Sequence, residues 1–200
     1  MNALEIMSSK DFKQCEIFHG HVCPGLSVGY KAAKAGMAWL RENRSMDEEI
    51  VAVVETDACS ADAVQVLTGC TFGKGNFIYK DYGKMALTLL SRKTGQGVRV
   101  AAKGNTAKPN EEHMALIQKM TAGEMNETER KRFQELHFQR SCMILETPDE
   151  ELFTIGAADM QLPGKARIEP SLACGRCGEP VMQSKLENIQ GQMICRGCAG

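Results

Sequence analysis

The sequence predicts an α+β protein: an antiparallel or mixed sheet with flanking helices, plus a small C-terminal treble-clef or ribbon-like zinc finger. Three observations carry that reading. Helical patterns lie on both sides of a run of short strand-like segments, the segment LPGKARIEPS at 162–171 breaks the chain with two prolines and a glycine, and two Cys-x-x-Cys pairs follow it. A length of 200 residues suits one ordinary domain with a small appendage. The predicted organisation is a core over 1–163 and a four-cysteine unit over 164–200.

In the core, residues 3–18 place Leu4, Met7, Phe12, Cys15 and Phe18 at helical spacing, with a cap near Ser8 or Ser9. Pro24 then opens a helix over 25–41, as proline does at a first helical position. Residues 50–55 are β-branched and apolar, which predicts a buried strand. A short helix over 61–67 precedes a loop punctuated by Gly69, Gly73 and Gly75. Residues 77–80, 85–90 and 98–102 read as successive strands, a pattern typical of antiparallel pairing. Helices follow over 110–119 and 126–140, and a last strand over 152–155 competes with 143–145 for that role.

Composition excludes several classes. Hydrophobic residues at 43% and charged residues at 24% are those of a globular chain. Lys plus Arg (24) against Asp plus Glu (25) leaves a net charge of -1, too little to attract nucleic acid or an anionic membrane. No apolar run is long enough to span a bilayer, and MNALEIMSSK has neither the basic region nor the apolar stretch of a secretion signal. The expectation is a cytoplasmic protein, in which nine cysteines act as thiols or metal ligands.

Four of the nine, Cys174, Cys177, Cys195 and Cys198, have the four-thiolate zinc spacing, with 17 residues between the pairs. So small a unit needs the metal to fold. Iron takes the same ligand set, so spacing does not choose the metal. The local charge from Lys165 onward is +2, weak for a nucleic-acid surface.

A second constellation, His19, His21 and Cys23, falls at i, i+2 and i+4, positions that share one face of an extended segment. Cys23 adjoins a helix start, where unpaired amides favour thiolate, and Cys59 meets the same condition before the short helix at 61–67. The set suits either a transition metal or thiol catalysis, with Cys23 as nucleophile or redox thiol, His21 as its base and Cys59 beside them. Cys15 and Cys142 read as structural, and Cys70 in the glycine loop has no assigned role.

The segments FHGHVCPG (18–25), DACSADAVQ (57–65) and TGCTFGKGN (68–76) resemble the FmdE family of formylmethanofuran dehydrogenase components. The resemblance covers most of the first 165 residues, and the terminal quartet resembles the zinc finger that some members append. It implies an α+β core that forms a homodimer. It also implies His19, His21, Cys23 and Cys59 as site or metal residues, with Asp62, Lys74 and Asn76 as ligand contacts around them. By the same resemblance, the partners are subunits of a molybdenum or tungsten oxidoreductase that reduces carbon dioxide to a formyl group on methanofuran.

Overall fold

The structure is a computed structural model that describes residues 2–104 and 108–200. It divides into two compact units, the first ending at Lys165 and the second being Ala166–Gly200.

The first unit is built on a five-stranded mixed sheet in the order β2-β1-β3-β4-β5. β1 (Ile50–Val54) is buried along its whole length, as an apolar β-branched run requires. It pairs antiparallel with β3 (Ala86–Ser91), which pairs with β4 (Gly97–Ala102), which pairs with β5 (Phe153–Ala157). β2 (Phe77–Tyr79) instead runs parallel to β1, with Ala52 opposite Phe77. The expectation of successive antiparallel strands therefore fails at β2. α4 (Ser60–Thr68) and the glycine loop form the crossover that a parallel neighbour demands.

Helices cover one sheet face. The single helix read over 3–18 is two, α1 (Ala3–Ser8) and α2 (Lys10–His19), because Ser9 adopts extended backbone and caps α2 through its hydroxyl. α3 (Pro24–Leu40) lies on the sheet and packs against α4 and α6. Its closest approach is at Gly29, where a Cβ would come within 2.4 Å of the Ser60 carbonyl oxygen. α5 (Glu111–Ala122) and α6 (Glu127–Glu146) begin at Asn110 and Asn126, whose side chains accept backbone N–H bonds. α6 extends six residues past its predicted end, since Ile144 and Leu145 are core residues, so 143–145 is helix rather than strand. α7 (Asp149–Leu152) leads directly into β5.

The main core joins Ala33 and Leu40 of α3 to Ala52, Leu89, Val98 and Val100 of the sheet and to Ile144 of α6. The opposite sheet face carries Val51, Val53 and Leu90. There Arg99 grips Glu55 with two bonds of 2.9 Å. Among the described residues, no helix is long and apolar enough to cross a membrane.

In the second unit, β6 (Ser171–Ala173) pairs with β7 (Pro180–Met182), and β8 (Leu186–Ile189) pairs with β9 (Gln192–Cys195) before α8 (Arg196–Ala199). A cysteine-bearing turn, a hairpin ending at Cys195 and a short helix that holds Cys198 follow one another, which is the treble-clef order. Its apolar interior is small, with only Cys174, Leu186 and Ile194 buried among the described residues.

Candidate metal centres

The core cluster is assembled by helix ends. α2 terminates at His19, and Gly20 takes a left-handed conformation at φ 95° that turns the chain toward His21. Cys23 is extended and caps α3, its Sγ accepting the Leu26 N–H at 3.3 Å. A straight extended segment from 19 to 23 is thus replaced by a helix terminus and a turn. The outcome is convergence: one donor atom from each of His19, His21 and Cys23 lies within 4.8 Å of the others.

Asp62 on α4 fixes the geometry. Its Oδ2 is 2.7 Å from His19 Nδ1, and His19 Nε2 stands 3.6 Å from Cys23 Sγ. A carboxylate that accepts the Nδ1–H hydrogen bond leaves the Nε2 lone pair facing Cys23. Cys59, predicted as a fourth donor, immediately precedes α4 and packs beside Cys23, but it is not among the donors that lie within 4.8 Å of one another. Gly25 allows that approach, because a Cβ there would sit 3.0 Å from Cys59 Cβ.

The expected activation of Cys23 does not follow from its helix-start position. Burial at 3% exposure pushes its thiol up to about 11, and neighbouring Cys59 adds to that, outweighing the backbone amides that favour thiolate. A cation would have to supply the missing charge.

Lys74 and Asn76 are not at this cluster. Lys74 Nζ donates to the carbonyls of Gly69 (2.6 Å) and Met46 (3.1 Å). Asn76, wholly buried, donates through Nδ2 to Asp47 and Ile50 carbonyls and accepts the Thr71 N–H. Both hold the glycine loop against the start of β1. Cys15 and Cys70 are buried, with burial pushing their thiols to about 12 and about 11, and Cys70 donates to the Ile50 carbonyl. Burial also raises Cys142.

Beside the cluster opens a cleft of about 370 Å³, lined by His19, Cys59 and Asp62 together with Val54, Asp57 and Tyr79. A further pair escaped the sequence reading. His113 of α5 is buried, with Nε2 3.1 Å from His137 Nδ1 of α6, and Phe133 packs on both rings. Burial lowers both histidines, His137 to about 4, with His21 among the groups that disfavour its protonation. The available signal was their placement: His113 precedes Leu116, and His137 follows Phe133 and Leu136, on the apolar sides of two successive helices.

In the second unit, the sulfurs of Cys174, Cys177, Cys195 and Cys198 all lie within 4.8 Å of one another. Backbone amides of residues 177, 195 and 176 hold the Cys174 thiol down at about 6, whereas crowding by the Cys195 and Cys177 thiols pushes Cys198 up to about 12. One thiolate forms readily without metal. A cation among the sulfurs would favour the thiolate at Cys198, which is the chemistry expected of a four-thiolate metal site.

An α+β core with one His/Cys cluster and an appended cysteine quartet defines a protein equipped with donor sets that could hold metal ions. The profile of the family described as "FmdE, Molybdenum formylmethanofuran dehydrogenase operon" matches residues 18–154, so this chain belongs to the FmdE family. A probable S-adenosyl-L-methionine-binding protein from Archaeoglobus fulgidus is 34% identical over 190 residues, covering 92% of this chain. The chain spans about half the length of that relative, since 50% of it is matched. A tungsten formylmethanofuran dehydrogenase FmdE-like protein from Syntrophus aciditrophicus shares the fold, with a TM-score of 0.63 and 23% identity over 99% of this chain and 92% of that one.

Proposed function

We propose that this protein carries two metals, a transition metal held by His19, His21, Cys23 and Cys59 and a zinc held by Cys174, Cys177, Cys195 and Cys198. On this reading it serves as a homodimeric accessory subunit of a formylmethanofuran dehydrogenase-type oxidoreductase, with the zinc unit as a contact module. The observation that carries the core metal is the Asp62–His19–Cys23 line, in which a carboxylate orients an imidazole whose second nitrogen faces a thiol. Family membership supports the link to the oxidoreductase.

When bound, a core metal would supply Lewis acidity or a redox couple. The chain's own residues hold the His19 ring by its Nδ1–H donated to the Asp62 carboxylate, shield Cys23 from water and leave an open cleft at one side. The test is metal content per chain in the wild type and in a Cys23→Ala, Cys59→Ala double variant. Loss of one metal equivalent, with the quartet still loaded, is the expected result, and unchanged content removes the core site. Light scattering checks the homodimer, and co-purification with dehydrogenase subunits checks the complex. Calorimetry with S-adenosyl-L-methionine checks whether the ligand in the A. fulgidus relative's name binds this chain.

A further inference from the structure

The lining of the cleft beside the core cluster specifies a class of ligand. Its volume of about 370 Å³ falls within the range of small-molecule sites. Two carboxylates, Asp57 and Asp62, line it, and none of its lining residues is Lys or Arg. Asp62 is engaged by His19, whereas Asp57 is exposed. A hydrogen bond to Asp81 disfavours ionisation of Tyr79, and the nearby charge of Asp57 adds to that. The phenol therefore stays neutral and presents an uncharged ring.

Most of the remaining surface is apolar or aromatic, with Thr56 beside it. Val54, Ala58 and Phe77 contribute to the wall, and Tyr79 stands at the rim with 44% of its surface exposed. An anion entering here meets two carboxylates and no cationic side chain. A bare ammonium is strongly hydrated, and the aliphatic and aromatic wall of Val54, Ala58, Phe77 and Tyr79 returns none of the water it would give up there. A charge shielded by alkyl groups sheds water more readily, gains from the carboxylate field and is attracted to an aromatic face.

We propose that this cleft binds an organic cation whose charge is shielded by alkyl groups, a quaternary ammonium or a sulfonium. The inference deepens the metal-centre reading and rests on it for one point of charge. A dication held by the Cys23 and Cys59 thiolates is neutral as a unit, so Asp57 and Asp62 still set the sign of the cleft.

The test titrates the full-length, metal-loaded protein with choline and with its uncharged carbon isostere, dimethylbutanol, followed by amide-resolved NMR. Choline produces saturable shifts in residues 56–62 and 77–79, and the isostere produces none. Asp57→Asn weakens choline binding by about fivefold or more, Tyr79→Leu does likewise, and added salt weakens it further. Equal shifts from the isostere, an Asp57→Asn variant that binds as the wild type does, or no shift with choline at tens of millimolar would each overturn the proposal. Metal content is measured on every sample, which separates the two readings. Choline binding to a core that holds no metal sinks the metal centre alone, and a loaded core that ignores choline sinks the cation site alone.

Discussion

Cys23 stands at the head of a seventeen-residue helix packed on a five-stranded sheet and is 3% exposed, while Cys177 is exposed on a unit in which only Cys174, Leu186 and Ile194 are buried among the described residues. Both regions collect soft donors within 4.8 Å of one another. They differ in what holds the donors there. In the first unit, apolar burial across α3, α6 and the sheet fixes the backbone, and the donors ride on an assembly that exists without them. In the second, burial among the described residues is slight, and on the proposed reading a metal held by the donors offsets the chain entropy. A site on a folded scaffold can keep an open side for a ligand, whereas a site that is the scaffold must close.

The largest expected effect comes from removing metal. A strong chelator abolishes the structure of the second unit, a loss of about 10 kcal/mol of binding-coupled stability, and leaves the first unit folded. Trp39, the single tryptophan, lies in α3 and reports the first unit. Its fluorescence is expected to hold while residues 166–200 become sensitive to protease. Loss of the Trp39 signal on chelation would show that the core depends on metal too and would break the contrast.

A smaller effect tests the core's reliance on packing. Gly29→Ala places a methyl against the Ser60 carbonyl and forces α3 from α4, at a cost of about 3 kcal/mol. Urea melts followed by Trp39 measure it. The second unit's metal content should not change.

The smallest effect is a pH dependence confined to the core. His137 titrates near 4 and His113 is also lowered from the ordinary 6.5, both mainly through burial, with Arg140 disfavouring their protonation, Glu112 opposing this at His113, and His21 adding to the penalty at His137. Folded-state values below the unfolded value mean that the contribution is complete above pH 6.5. It is lost as pH falls toward 4, to a total of about 2 kcal/mol after discounting partial exposure. The Trp39 melting temperature should fall between pH 7 and pH 5, and His137→Phe should flatten that fall. An unchanged slope in the variant would show that other groups govern acid stability.

Much of the fold was legible because single residues signal it. Pro24 marks the start of α3, the run from Ile50 marks β1, and Asn110 and Asn126 mark two helix starts. The parallel placement of β2 was not legible, because three apolar residues carry no sign of their neighbour's direction. In the site, the His-x-His-x-Cys spacing and the acidic residue following Cys59 were visible, yet the Asp62–His19 bond joins residues 43 apart and depends on how α4 crosses α2. Lys74 and Asn76 drew attention through their glycine-rich setting. Besides local bonds to residues 69 and 71, their side chains donate to carbonyls of residues 46–50, a long-range contact that local pattern does not encode.

The one parallel strand pair gives this sheet a further property. β1 and β2 run the same way, so both carboxyl ends, at Val54 and Tyr79, open into one place, and that place is the cleft. The residues that leave those ends, 56–59 and 80–83, lie outside the paired registers of the antiparallel strands. Substitutions in these two short segments would therefore reshape the cleft first, while the helix ends that bring His19 and Cys23 together stay as they are.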